Sequence, residues 1–148
     1  MEAWDAIRSR RNVRSYLPKP IPDAELDRIA EAGWRAPSAS NRQHWDFVII
    51  TDRHQLEELS TVWRGAGHIA SAPAAIALVA SAPPDERTKL IDQYDLGQAT
   101  LAMTIAATDL GIGTAPSRRS CIGVAGEGPH RPRRRWATTE PGVRPRST

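Results

Sequence analysis

Two short segments in the first third of the chain carry residue types suited to binding phosphate and a flat polar ring. Residues 8–14 place four arginines within seven positions, and each guanidinium is a planar fork of donors that matches phosphate oxygens. Residues 35–45 form a loop of small and polar residues that leads into an apolar strand. Its serine, asparagine and glutamine side chains offer donors and acceptors for a polar ring. We call these stretches the arginine segment and the Ser/Asn loop.

The charge of the chain is divided between two regions. The net charge is +3 over 148 residues, but residues 1–116 hold 12 Lys/Arg against 15 Asp/Glu, whereas residues 117–148 hold 8 Arg against 2 Glu. The basic character therefore belongs to residues 117–148, which show no apolar periodicity and are rich in proline and arginine. Their composition predicts a disordered basic tail. Residues 1–116 are long enough for one domain with a modest core.

Several protein classes are disfavoured by simple features of the sequence. No apolar run reaches the length of a membrane span, and the acidic start Met-Glu-Ala-Trp-Asp does not resemble a secretory signal. The single cysteine, Cys121, excludes an internal disulfide, and the histidines do not have metal-ligand spacing. We therefore expect a soluble cytoplasmic protein with no metal site and no membrane partner.

Apolar periodicity and the positions of the prolines predict four helices and two strands. A helix from Asp85 to Leu110 is favoured by the helical spacing of Leu90, Tyr94, Leu101 and Ile105, and Gly111 is typical of the residue that ends a helix. The other predicted helices cover residues 2–9, about 23–36 and 53–63, the last opened by Asp52, and the predicted strands cover residues 45–51 and 74–80. Helices that alternate with strands indicate an α/β or α+β protein.

The arginine segment and the Ser/Asn loop together resemble the two N-terminal signatures of the nitroreductase family, whose members hold FMN at a dimer interface. The resemblance covers about residues 3–116 and stops within residues 113–116. It implies an α+β fold, a nitroreductase-like α/β sandwich with a central mixed sheet wrapped by helices, whose C-terminal part is missing here. It also implies a homodimer through the long helix over residues 85–110.

A shifted reading frame would explain why the composition changes so abruptly near residue 116. A GC-rich coding sequence read out of frame favours Arg, Pro, Gly and Ala codons, and these residues dominate the tail. Sequencing the locus tests this hypothesis, since an uninterrupted frame shared by independent isolates would exclude it.

The family resemblance implies a set of cofactor-binding residues. In the first signature, arginines would meet the phosphate and ribityl chain of FMN, and Arg14 would lie nearer the pyrimidine edge. The Ser/Asn loop would reach the flavin bound mainly by the other subunit. The long helix would pass beside the ring. The implied residues are Arg10, Arg11, Asn12, Arg14, Pro37, Ser38, Ala39, Ser40, Asn41, Gln43 and Gln98.

Each of these features also has a simpler structural interpretation. An arginine cluster is typical of a solvated helix end, and Ser38 and Asn41 are residue types that cap or turn a chain. His44, which replaces the usual proline of the family, is interpreted as a surface histidine. No catalytic dyad is apparent, as expected if a flavin supplies the reactive group.

The resemblance implies an oxidoreductase in which NAD(P)H reduces FMN and a nitroaromatic, quinone or similar small molecule then accepts the electrons, in a ping-pong cycle. One alternative is a flavin-binding remnant without turnover. Another is a nucleic-acid-binding protein, in which arginines of the tail would neutralise phosphates while Trp136 stacks on a base. The prolines and the lack of a predicted folded platform argue against this last alternative. The residues concerned are Arg131, Arg133, Arg134, Arg135 and Trp136.

Overall fold

The computed structural model of the protein describes residues 2–117, which form four α-helices, two strands and two short 3₁₀ helices. Helices and strands occur where the apolar pattern predicts them, with ends that differ by one or two residues. The helices are α1 (Ala3–Ser9), α2 (Asp23–Trp34), α3 (Arg53–Thr61) and α4 (Glu86–Asp109), the strands are β1 (Trp45–Ile50) and β2 (Ala75–Ala80), and the 3₁₀ helices are Ala39–Asn41 and Gly67–Ser71.

Aspartate caps begin two of the helices. The Asp52 carboxylate accepts a hydrogen bond from the Gln55 N–H at 3.0 Å, and the Asp85 carboxylate accepts one from the Thr88 N–H at 2.7 Å. Each bond satisfies a backbone donor that has no partner within the first turn. The predicted start of α3 at Asp52 is therefore confirmed.

A glycine ends the long helix α4. Gly111 has a φ of 75°, and its N–H donates to the Thr108 carbonyl at 2.9 Å, while the Ile112 N–H donates to the Ala107 carbonyl at 2.8 Å. These two bonds satisfy carbonyls of the last turn in the pattern of a Schellman motif. Ile112 then packs against the main core, which directs the chain back towards the sheet.

The strands pair in one antiparallel ladder, and a separate parallel bridge joins the two ends of the described chain. In the ladder, Trp45 lies opposite Ala80 and Ile50 lies opposite Ala75. The bridge pairs Asn12 with Thr114, which places the arginine segment beside the chain that follows α4. The predicted α+β class is confirmed.

The main core lies between the sheet and the pair of helices α2 and α4. α2 runs along α4, and both present small and apolar residues to β1 and β2. The buried members are Ile29, Ala30, Ala36, Trp45, Phe47, Leu78, Leu96, Ala99, Met103 and Ala107. A second, smaller cluster around Leu56, Ala66 and Ile69 fixes α3 to the second 3₁₀ helix.

Helix α4 has apolar residues on two faces. The residues whose spacing predicted the helix are mostly outside the core, since Leu90, Tyr94 and Leu101 are 65%, 71% and 54% exposed. The buried face carries two aspartates among its apolar residues, Asp92 and Asp95. α4 therefore leaves a large apolar face uncovered in a single chain.

The predicted tail, residues 117–148, lies outside the described residues except for Ser117. Within residues 2–117, every helix is too short or too polar to cross a membrane.

Candidate functional site

The arginine segment leaves α1 as an extended strand-like stretch that is tied to the far end of the fold. The Val13 N–H donates to the Thr114 carbonyl at 2.9 Å. Arg10 Nη1 donates to Asn12 Oδ1 at 3.1 Å, and Arg11 Nη1 lies 3.1 Å from two nearby backbone carbonyls. Because a guanidinium has five N–H donors, both side chains keep donors for a ligand.

A second contact, made by the chain just after the arginine segment, holds this region against the body of the protein. Tyr16 Oη and His68 Nδ1 lie 3.1 Å apart, and the two rings are tilted with centroids 6.1 Å apart. Burial raises the pKa of Tyr16 and lowers the pKa of His68, and the positive charge of Arg14 lowers both. The pair is therefore held in its neutral form, which lets the tyrosine hydroxyl donate to the imidazole.

The Ser/Asn loop has an unusual backbone. Ser40, Asn41 and Gln43 have φ angles of 54°, 52° and 44°, in the left-handed region where residues other than glycine are uncommon. Each such residue costs about 1–3 kcal/mol and persists only where the surrounding structure over-determines it. The loop conformation must therefore be held by contacts from outside those three residues.

One set of contacts holds the first half of the loop. The Gln43 N–H donates to Ser38 Oγ at 3.0 Å, which closes the loop on itself. The Ala39 N–H donates to Asp95 Oδ2 of α4 at 3.0 Å, and the Asp95 side chain is almost fully buried, at 1% exposure. Ser38 therefore has the turn-forming contact that its residue type suggested, and its hydroxyl can still donate to a ligand.

A second carboxylate of α4 holds the end of the loop. Arg42 Nη2 forms an ion pair with Asp92 Oδ1, and His44 Nε2 lies 3.1 Å from the same oxygen. The His44 side chain is only 16% exposed, and neither of its ring nitrogens has a partner with hydrogen-bond geometry. The interpretation of His44 as a surface histidine is therefore wrong, because the loop folds it against α4.

A groove of about 500 Å³ runs between the Ser/Asn loop and the first half of α4. Its walls are mostly apolar, and four of the predicted cofactor-binding residues line it. Gln98 Nε2 lies 3.5 Å from the Pro37 carbonyl at one side of the groove. The lining residues are Pro37, Ser38, Ala39, Leu90, Ile91, Tyr94, Asp95 and Gln98.

The structure brings Gln98 to the Ser/Asn loop, but it anchors the two segments at different places. The loop contacts α4 near Asp95, whereas the arginine segment pairs with Thr114, beyond the C-terminal end of the helix. At 1.5 Å per residue, about 21 Å of helix separates Asp95 from Asp109. None of the hydrogen bonds described above for the two segments joins one segment to the other.

The two buried aspartates are functional candidates that the sequence interpretation missed. Asp92 and Asp95 share the helical spacing of the buried residues Leu96, Ala99 and Met103. Two acids on the apolar stripe of a helix are an unusual pattern, because a buried carboxylate needs a partner. Two acids on an apolar stripe were therefore the sequence signal that could have identified these candidates. In residues 2–117, no group of three or more metal-ligating side chains comes together.

Comparison with known proteins identifies similar chains. The sequence model of the Nitroreductase family matches residues 7–82. A protein of Archaeoglobus fulgidus, whose name proposes an NADH dehydrogenase or NAD(P)H nitroreductase, is 32% identical over 113 residues, which cover 76% of this chain and 65% of that protein. The FMN reductase [NAD(P)H] of Bacillus subtilis is 26% identical, over 78% of this chain and 53% of its own. The chain thus spans less than two thirds of these relatives.

A solved structure gives the same result for the fold. A protein of Desulfovibrio desulfuricans, assigned to the nitroreductases and crystallised with FMN, superposes with a TM-score of 0.65 and 28% sequence identity. The superposition covers 76% of this chain and 66% of that one. The region matched by the family model, residues 7–82, contains both segments described above.

Proposed function

Because this chain belongs to the nitroreductase family, we propose that it binds FMN and uses NAD(P)H to reduce nitroaromatics, quinones or similar small acceptors. The observation that carries the proposal is the groove between the Ser/Asn loop and α4, which is lined by predicted cofactor-binding residues and an exposed aromatic side chain. The FMN complex of a similar structure supports the choice of cofactor, and the name of the Bacillus relative supports NAD(P)H as reductant.

The donors of the arginine segment fit the phosphate end of FMN. Arg10 and Arg11 keep guanidinium donors beyond those already used within the segment, and charge-assisted bonds to phosphate are the strongest class of hydrogen bond available here. The hydroxyl of Thr114, paired through its backbone with Asn12, is buried without a partner among the described residues. We assign the phosphate and ribityl chain to Arg10, Arg11 and Asn12, and the pyrimidine edge to Arg14.

The groove fits the ring end. Its polar rim comes from Ser38, Gln98 and backbone groups of the loop, while Leu90 and Tyr94 form an apolar wall. Such a wall excludes water from a flat aromatic ligand, and polar groups at the edge set its orientation. Pro37, Ala39, Ser40, Asn41 and Gln43 complete the proposed ring site.

The proposed assembly is a homodimer through the exposed apolar face of α4. The loop is anchored on α4 at Asp95, and the arginine segment is anchored at Thr114, beyond the C-terminal end of that helix. In the proposed dimer, a second chain that packs on this face would bring its loop towards the arginine segment of the first. Burying Leu90, Tyr94 and Leu101, each more than half exposed, would stabilise the dimer. Each flavin would then be shared by two chains.

When bound by these residues, FMN would supply the hydride and electron chemistry of a ping-pong cycle between NAD(P)H and the acceptor. The residues of this chain bind and orient the ring, exclude water and place positive charge at its edge. No side chain is assigned a covalent role. We also propose the cytoplasm as the location, where NAD(P)H is abundant.

A flavin-binding protein without turnover is the second candidate. Such a protein would bind FMN but would not oxidise NAD(P)H in the presence of an acceptor.

One preparation tests both candidates. The full chain is purified, its flavin absorbance is recorded before and after addition of FMN and desalting, and NAD(P)H oxidation is then followed with a nitroaromatic and with a quinone. We expect bound flavin and acceptor-dependent oxidation. Bound flavin without oxidation would favour the second candidate, and absence of flavin binding would exclude both.

A further inference from the structure

We infer that Asp92 and Asp95 are positioning residues of the proposed flavin site, which hold the Ser/Asn loop in its strained conformation from α4. The expected effect on FMN binding rests on the proposed function, whereas the positioning role rests on the contacts between the loop and α4. Neither residue is assigned contact with the reacting atoms.

The loop needs such a support. The loop contains three residues with positive φ, Ser40, Asn41 and Gln43. The hydrogen bond from the Gln43 N–H to Ser38 Oγ closes the loop against the strain of these residues. Strain of this kind is kept only where other contacts fix the backbone. A loop without that support would relax to extended or turn conformations, and Ser38 would no longer be held at the groove that it lines.

The two carboxylates are placed to supply it. Asp95 accepts from the N–H of Ala39, just before the residues with positive φ, and Asp92 contacts Arg42 and approaches His44, at the end of the loop. Residues three apart lie on the same face of a helix, so one turn of α4 holds both sides of the strained stretch.

The dependence is mutual. Asp92 and Asp95 are 7% and 1% exposed, and a buried carboxylate is costly unless it is paired and hydrogen-bonded. The loop supplies an N–H and a guanidinium, and in return the carboxylates fix where the loop can lie. This reciprocal requirement explains why two acids occupy an otherwise apolar stripe.

The test separates the hydrogen bond of Asp95 from its charge. Asp95→Asn keeps an oxygen that can accept from the Ala39 N–H, whereas Asp95→Ala removes it. Asp46→Ala, at an exposed carboxylate of β1, is the matched control. Amide hydrogen exchange at Ala39 and Gln43 is measured in flavin-free protein, and FMN affinity is measured by fluorescence titration.

We expect Asp95→Ala to accelerate exchange at Ala39 and to weaken FMN binding, each by about tenfold or more, as loss of a bond to a charged group predicts. Asp95→Asn, which keeps the acceptor without the charge, should be clearly less impaired than Asp95→Ala in both measurements. Asp92→Ala should accelerate exchange at Gln43. The control should change neither quantity.

Unchanged exchange and affinity in Asp95→Ala would overturn the inference, and so would an Asp95→Asn variant as impaired as Asp95→Ala. If Asp95→Ala does not fold, Ala39→Pro breaks the same bond from the loop, since proline has no N–H and Ser38 already has the extended backbone favoured before proline. That variant should show the same loss of FMN affinity and faster exchange at Gln43, and unchanged values would again overturn the inference. If no chain binds FMN, the proposed function fails, while the exchange data still decide whether the carboxylates hold the loop.

Discussion

Gly33 of α2 lies directly against Met103 of α4. A Cβ atom built at position 33 falls 2.7 Å from both Cγ and Sδ of Met103, and 2.8 Å from Cε1 of Phe47. These distances are shorter than real Cβ contacts, so the absence of a side chain at Gly33 sets how closely α2 approaches α4. That approach matters for the site, because the Ser/Asn loop begins where α2 ends.

Replacing Gly33 by alanine should therefore destabilise the protein. Overpacking a buried contact costs about 1–3 kcal/mol, whereas the gain in helix propensity is about 1 kcal/mol, so we expect a net loss of about 1 kcal/mol, and at most about 2 kcal/mol, in the free energy of unfolding. Urea unfolding measures it. Gly97→Ala in α4 is the control, since its added Cβ meets nothing within 4 Å and should stabilise the unassociated chain. A Gly33→Ala variant at least as stable as the original would contradict the packing described.

Replacing Arg10 and Arg11 together by alanine should weaken FMN binding about a hundredfold. Each charge-assisted bond contributes about 1.5–3 kcal/mol, and two of the weaker kind correspond to that change in Kd. Fluorescence titration gives the two affinities. A double variant of Arg64 and Arg87, both exposed and outside the two segments, removes the same charge elsewhere and should bind FMN nearly normally. Equal affinities for the two double variants would refute the assignment of Arg10 and Arg11 to the phosphate.

Placing a charge on the exposed face of α4 should prevent the proposed dimer from forming and weaken the binding of FMN. Leu101→Asp puts a carboxylate at the proposed interface, where its desolvation opposes association. Leu17→Asp is the control, because Leu17 is 78% exposed and does not belong to α4. Sedimentation and flavin absorbance are measured over a dilution series. A monomer that retains stoichiometric FMN would refute a site shared by two chains.

The contact between Tyr16 and His68 should make stability depend on pH. The pKa of His68 is lowered in the folded state, first by burial and then by Arg14, so the unfolded chain binds a proton more readily. Stability should therefore fall as the pH drops below about 6.5, the ordinary value for histidine. The loss is complete once the pH is below the folded pKa.

His68→Asn isolates this effect, because the asparagine oxygen can accept from the Tyr16 hydroxyl but does not titrate. The urea midpoint of both proteins is measured at about pH 8 and about pH 5, on either side of the histidine value. The original chain should lose more stability between them than the variant. Equal losses would show that His68 does not contribute to the pH dependence.

The sequence by itself determined the local elements, because the interactions that specify them join near neighbours. Asp52 and Asp85 each bond to an N–H three residues away, and Gly111 ends α4 through bonds that span at most five residues. The arginine segment and the Ser/Asn loop were also recognisable, since their donors are clustered along the chain. Patterns of this range need no knowledge of the tertiary structure.

Tertiary structure alone decided which side chains support the site. Asp95 and Ala39 are 56 residues apart, and Asp92 and Arg42 are 50 residues apart, so the helical pattern could mark these acids as unusual but could not identify their partners. The packing of α2 on α4 places the loop over Asp92 and Asp95. The buried carboxylates then bind the loop through the Ala39 N–H and the Arg42 guanidinium. His44 was likewise expected at the surface but lies against Asp92. The loop conformation that places it there depends on contacts that only the folded chain can form.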